Sequence, residues 1–323
     1  MKKRLFSLLL VSALVFTLSG CGEKSLLRES DPVTLNFWHV YGEQSGSPMD
    51  LLVQEFNRTV GQEKGVRVQV TNLSSASKIG GFLKEAQKGG RDAPEMPDLF
   101  TCHISDATAL GSDNLVDWNA RFTAEELSNF VPGFLADGMT EDGTLLLFPI
   151  SKSTQLLMCN GSGFARSLAQ GHVVVSDLYS NTQVMTGDVL SGLGSSAAIL
   201  YYNDTVTYRD GTQEPMDLHV LPMPKTAGAD ALMTQAGVGL CAYKTTDQKA
   251  EAAALFVRWL TESERNLDFV AQTGYMPVRN GAFDAIENYD KFPEPTESYR
   301  QLYAALKIMQ KLVKQGKDSA AIY

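Results

Sequence analysis

The sequence predicts an α/β protein, and three observations carry that reading. Residues 33–40 form a β-branched and aromatic run opened by Pro32, as a strand does. A helix signal follows at Ser47-Pro48, and then Val66, Val68 and Val70 alternate after Gly65. A strand, a helix and a strand in that order argue for a parallel sheet. The chain has 323 residues, enough for roughly two domains. Near its middle, residues 145–160 read as an apolar strand, a break at Pro149, a short hydroxyl-rich bend and a second apolar strand. Such a segment suits a crossing between two lobes; an ordinary buried hairpin fits the same residues.

The remaining elements follow from periodicity and punctuation. The helix after Pro48 has Leu51, Leu52, Phe56 and Val60 as its expected apolar stripe. A second helix is expected over 78–88, with Ile79, Phe82, Leu83 and Ala86 on one face, and a short buried strand over 98–101. Thr123 with Glu126 three residues later forms a capping box for a helix over 123–130. Beyond the central segment, residues 160–170 are loose and 173–175 are weakly strand-like. A Gly/Ser loop then feeds an expected strand at 199–202, and further strands are expected at 218–220 and 237–243. Helices are expected over 249–260, over 262–272 with Gly274 as C-cap, and over 299–314.

With 44% hydrophobic and 20% charged residues the composition is that of a globular protein. A net charge of −9 gives no sign of a nucleic-acid partner or a polybasic membrane surface. Residues 1–20 read as a lipoprotein signal peptide. Lys2, Lys3 and Arg4 precede an apolar run that is short for a bilayer span. It ends at Leu18-Ser19-Gly20-Cys21, which resembles a bacterial lipobox; that resemblance implies a diacylated Cys21, a tether over 21–31, and an extracytoplasmic protein anchored to the bacterial membrane. The other cysteines, Cys102, Cys159 and Cys241, are odd in number and far apart. They suit neither a disulfide framework nor a zinc site and read as small buried hydrophobes, so neither metal nor cofactor is expected.

Six stretches then occur in order: NFWHVYGEQSG, MPDLF, LLLFPISKST, GSSAAILYYNDTVTY, LPMPK and FVRWLTESERNLDFVAQTGYMPVRN. Together, from residue 31 to 289, they resemble the extracellular solute-binding proteins of ABC importers, in the carbohydrate-binding family that includes the maltose- and glycerol-3-phosphate-binding proteins. The resemblance implies a two-lobe periplasmic-binding-protein fold of type II, its interlaced lobes closing about a hinge. The first lobe would span 32–150 and 232–278, the second 151–231 and 279–323. The family's ligand lies in the cleft, which places Trp38, His39, Tyr41 and Glu43 there from the loop after the first strand, and Ser153 and Thr154 from the crossing. Gly194, Ser195 and Gly237 would allow close backbone approach, and Tyr275 would be the aromatic facing the cleft. A sugar, polyol or glycerol-phosphate-type ligand suits such a set, since an apolar sugar face stacks on Trp or Tyr while its hydroxyls take directional bonds. The implied partners are that ligand and the importer's transmembrane permease subunits, with the receptor a monomer.

Plainer roles are available to the same residues. Trp38 suits a core aromatic, as do Trp118 and Trp259; His39 and His103 suit local hydrogen bonding, Glu43 a solvated loop, and Ser195 turn chemistry. The family pattern also thins after Asn160 and at the C-terminus. A second lobe reduced in this way is expected to leave sheet faces uncovered, and it admits a degenerate or truncated paralogue acting as a non-transport surface protein. An enzyme is not expected. Gly192-x-Gly194-x-x-Ala197 with Asp217 formally fits a dinucleotide fingerprint, but the following residues read as a strand where that motif opens a helix. Asp98 and Asp106 form no recognisable catalytic pair.

Overall fold

The computed structural model describes residues 26–41, 46–72, 76–160, 179–225, 228, 234–291, 296–316 and 320–321. The expectations for Cys21, Glu43 and residues 173–175 lie outside them. No helix among the described residues is long and apolar enough to cross a membrane.

The opening strand–helix–strand forms as expected. β1 (Val33–His39) pairs in parallel with β2 (Val66–Asn72), and α1 (Pro48–Arg58) connects them with the short helix Val60–Lys64. Gly65 ends that short helix in the left-handed conformation, which costs a glycine least. The stripe of α1 that enters the core is Met49, Val53 and Phe56; Leu51 is 54% exposed. Spacings of four and three keep those residues on one side, whereas Leu51 lies off it. α2 (Ala76–Lys88) buries Ile79 and Leu83 and turns Phe82 outward.

β3 (Leu99–Cys102) lies in parallel on the other side of β1. The four-stranded sheet is completed by β10 (Gly239–Ala242), antiparallel to β3 and contributed from far along the chain. α1 and α3 (Asp247–Leu260) pack on one face of this sheet and α2 on the other. Phe256 of α3 meets Phe37 and Phe56 edge-on, with centroids 5.8 and 5.0 Å away, and stacks on Trp259. Thr123 and Glu126 make the expected capping box at the helix Ala124–Ser128. Cys102 and Cys241 are buried free thiols, in keeping with their reading as small hydrophobes.

A second, antiparallel sheet places β4 (Gln155–Asn160) between β5 (Ser191–Ser195) and β8 (Leu218–Pro222). Between those two in sequence, β6 (Thr205–Thr207) and β7 (Gln213–Pro215) form a hairpin; β9 (Thr234–Gln235) follows β8. α4 (Ser263–Thr273) ends at Gly274 as expected, and α5 (Glu297–Lys314) packs on β8, where Gln301 accepts a hydrogen bond from the Val220 amide at 3.0 Å. On the sheet's other face Leu157 stands in register between Leu193 and Leu221, both exposed.

Two expected strands are corrected. Residues 145–148 form only isolated bridges, Leu145 with Met139 and Phe148 with Leu240. The amides of Leu146 and Leu147 both turn to the Gly138 carbonyl, which leaves no regular ladder. Residues 199–201 belong to a 3-10 helix, Ser196–Tyr201, with Tyr202 as its C-cap, because the Ser195 hydroxyl accepts a bond from the Ala197 amide and caps its start. A short apolar run is equally a strand or a buried helical turn by periodicity. The dinucleotide pattern fails for another reason: Gly192 and Gly194 are paired within β5 of an antiparallel sheet and do not form a strand-to-helix loop.

The aromatic centre supports the first sheet. Phe256→Ala is expected to cost about 3–5 kcal/mol of stability in urea denaturation, and Leu51→Ala, at an exposed position, no more than about 0.5 kcal/mol.

Candidate functional site

The segment from Ile150 to Thr154 joins the two sheets, and each residue in it is tied to a different part of the chain. The Ile150 carbonyl accepts from Asn266 Nδ2 at 2.7 Å, and Ser151 Oγ lies 3.0 Å from the Tyr41 hydroxyl. Lys152 exchanges backbone bonds with Met276 and forms a buried ion pair with Asp137. Ser153 exchanges backbone bonds with Ala236 at 2.8 and 2.9 Å, and its hydroxyl donates to the Ala236 carbonyl at 3.3 Å. The Thr154 carbonyl accepts from the Ser196 amide at 2.8 Å, and its own amide donates to Ser196 Oγ. β4 begins at the next residue. The crossing reading of residues 145–160 therefore describes the path of the chain, and the simple hairpin does not.

The end of β1 and the turn at Gly274 bring aromatic rings to this crossing. Tyr41, just beyond β1, meets Tyr275 edge-on at 5.7 Å and Phe269 at 5.1 Å. Tyr41 is buried, whereas Tyr275 is half-buried. Gly274 is left-handed at φ 76°, and a Cβ there would stand 3.0 Å from Ala197 Cα; glycine lets this turn press against the 3-10 helix. Gly237, at φ 129°, lies alongside Ser151 and Lys152; a Cβ there would stand 3.7 Å from the Ser151 carbonyl oxygen.

Tyr41, Ser153, Thr154, Ser195, Gly237 and Tyr275 thus gather around one short segment, beyond the carboxyl end of β1 where open α/β sheets bind ligands. Their exposures differ. The hydroxyls of Ser153 and Thr154 are buried and bonded within the protein, and Ser195 Oγ serves as a helix cap. His39 is fully buried beneath Tyr41. Trp38 points to the opposite face of the first sheet, where its ring meets the exposed Phe82 edge-on at 6.4 Å. Gly194 stays within β5, opposite Leu156. Two surface grooves lie beside α1 and β2, and neither includes a residue of the crossing.

Three residues that the sequence reading passed over prove central: Ser151, Lys152 and Asn266. Asn266 carried a usable signal, being a polar residue on the same helical stripe as Phe269, Val270 and Thr273. The Lys152–Asp137 pairing had none, since nothing local links residues fifteen apart across a turn.

Burial governs the electrostatics. His39 lies below its ordinary pKa chiefly through desolvation, with Asp50 opposing. Its Nδ1 accepts the Tyr41 amide at 3.1 Å, so Nε2 carries the proton donated to Asp50 at 2.9 Å, and a second proton would face an N–H. Burial, and then Tyr275, push the Tyr41 hydroxyl far up, so it stays neutral. Desolvation lowers Lys152, and the Asp137 carboxylate works against that shift. Among the described residues no group of three His, Cys, Asp or Glu side chains is arranged to hold a metal ion.

Residues 164–294 match the family model of bacterial extracellular solute-binding proteins. The glycerophosphocholine-bound UgpB of Mycobacterium tuberculosis superposes with a TM-score of 0.66 at 16% identity, over 91% of this chain and 88% of that one. The chain has the fold of an extracellular solute-binding protein. The cyclic α-maltosyl-1,6-maltose-binding protein of Arthrobacter globiformis gives a TM-score of 0.62 at 15% identity, over 90% of this chain and 88% of its own. The GacH receptor of Streptomyces glaucescens, solved unliganded and with acarbose, gives 0.61 at 14%, over 90% and 95%. No protein of curated function matches the sequence.

Within this solute-binding fold two tests address the site's charges. Asp137→Ala leaves the Lys152 charge buried without its partner and is expected to cost about 3–5 kcal/mol in chemical denaturation; replacing both by Met and Leu should restore most of it. His39, once unfolded, takes up a proton near pH 6.5, whereas the folded ring resists it to lower pH. Stability is therefore expected to fall as pH drops below about 6.5, and His39→Gln to flatten that dependence in denaturation curves collected from pH 7.5 to 5.

Proposed function

We propose that this protein is a lipid-anchored extracytoplasmic receptor. It captures a sugar, polyol or glycerol-phosphate-type solute between two lobes and delivers it to the permease of an ABC importer. The observation that carries this reading is the crossing itself. One short segment leaves the first sheet, is pinned residue by residue, and enters the second sheet beside the half-buried Tyr275. The first lobe in this reading comprises 32–150 and 232–278, and the second comprises 151–231 and 279–323. Tyr275 offers the apolar stacking face a sugar ring requires, and the hydroxyl and glycine positions around it suit directional bonds to a polyol. The fold's neighbours include proteins of maltose-type saccharides and of glycerophosphocholine, which motivates both ligand classes.

The test is calorimetric melting of the mature chain, with Cys21 replaced by Ser, in the presence of maltotetraose, simple polyols and glycerophosphocholine. A true ligand at a hundred times its Kd should add about 2.7 kcal/mol of stability. Tyr275→Ala should lower affinity at least tenfold, with a modest fall in the unliganded melt from its lost packing on Tyr41. A melt unmoved by every compound would sink the receptor reading and leave a surface protein without transport.

A further inference from the structure

We propose that Asn266 is the positioning residue of the candidate site, setting where the Tyr275 ring stands by holding the strand after Gly274 against the crossing. The inference rests on the receptor reading for its functional consequence, and on geometry alone for its structural one. Asn266 is fully buried on α4, on the stripe it shares with Phe269, Val270 and Thr273. Both ends of its side-chain amide are used. Nδ2 donates to the Ile150 carbonyl at 2.7 Å, and Oδ1 accepts from the Val278 amide at 2.9 Å. The partners dictate that orientation, because a carbonyl can only accept and an amide N–H can only donate.

These two bonds close the ends of a very short strap. Between Ile150 and Val278 the chain runs antiparallel through a single bridge, Lys152 with Met276, whose amides exchange hydrogen bonds. One bridge is a weak determinant of register, and a slip by one residue would send alternate side chains to the opposite face. Tyr275 directly precedes the bridged Met276, so its direction depends on that register. Asn266 spans both strands of the strap from outside and removes the freedom to slide. An apolar side chain of similar size would fill the space but leave the Ile150 carbonyl and Val278 amide buried without partners.

The strap can be read without any ligand. Hydrogen exchange on the full mature chain should show the Lys152 and Met276 amides exchanging at least tenfold faster in Asn266→Ala than in the parent. Gln310→Ala serves as the matched control. Gln310 is another buried amide, donating to the Phe283 carbonyl away from the crossing, and its loss should leave those two amides unchanged. Asn266→Asp covers the case in which the alanine variant does not fold. It keeps the acceptor for Val278 but loses the donor to Ile150, and protection of the strap should return as the pH is lowered and the buried carboxyl takes up a proton. For whichever of maltotetraose or glycerophosphocholine the parent binds, Asn266→Ala should weaken affinity at least tenfold and Gln310→Ala less than twofold. Unchanged exchange at Lys152 and Met276 in the Asn266 variants, or equal acceleration in the Gln310 variant, would overturn the assignment. If the parent binds neither probe nor any of the simple polyols, the receptor reading fails while the exchange result still decides the role of Asn266.

Discussion

Five consecutive residues with five different anchors are the constraint on which the rest of this structure depends. Ile150 to Thr154 carry the chain between two sheets of different construction, one mostly parallel and one antiparallel. A segment in that position has no regular ladder to satisfy its polar groups, yet it is buried along its whole length. Each polar group must find its own partner. It does so by drawing in the end of β1 through Tyr41, α4 through Asn266, the 3-10 helix through Ser196, and the chain just before β10 through Ala236. The candidate site is the by-product of that accounting, since the groups needed to satisfy the crossing stand where two sheets meet.

The same economy explains the division of labour among the aromatics. Tyr41 is packed between Phe269 and Tyr275, with its hydroxyl on Ser151, and so acts as a support beneath the half-buried Tyr275. His39 supports it in turn, holding the Tyr41 amide and Asp50 from either side of one imidazole. Only the outermost member of this stack, Tyr275, keeps appreciable accessible surface. A ring that must meet solvent on one side is steadied by rings that do not, and rigid backing of this kind limits the ordering cost of binding.

Much of the fold was legible in the sequence because its signals are local. Alternating valines in β2, the Thr123–Glu126 box and the Gly274 cap all report on their own neighbourhood, and the structure realises each one. The expected strand over 199–202 failed because Ser195 caps a helical turn whose apolar residues have no distinguishing period. In α1, Met49 and Val53 hold the inward phase, and Leu51, an expected core position, faces solvent. At the site, the family resemblance pointed to residues from five distant stretches, which no local pattern could do. It did not separate surface from support, because whether Tyr41 or Tyr275 faces outward is decided by packing between elements. Lys152 and Asp137 stayed invisible for the same reason: their pairing exists only once the crossing has been threaded.

The partners of the crossing also fix when it can form. Residues 150 to 154 wait for Ala236, Asn266 and Met276, all in the last third of the chain. During synthesis from the N-terminus, more than four-fifths of the protein must emerge before the segment has its full set of bonds. β10 likewise reaches the first sheet only after more than two hundred residues have been made. Contacts so distant in sequence slow folding. The nascent chain therefore cannot lock early, and it remains threadable for most of the time it is being made.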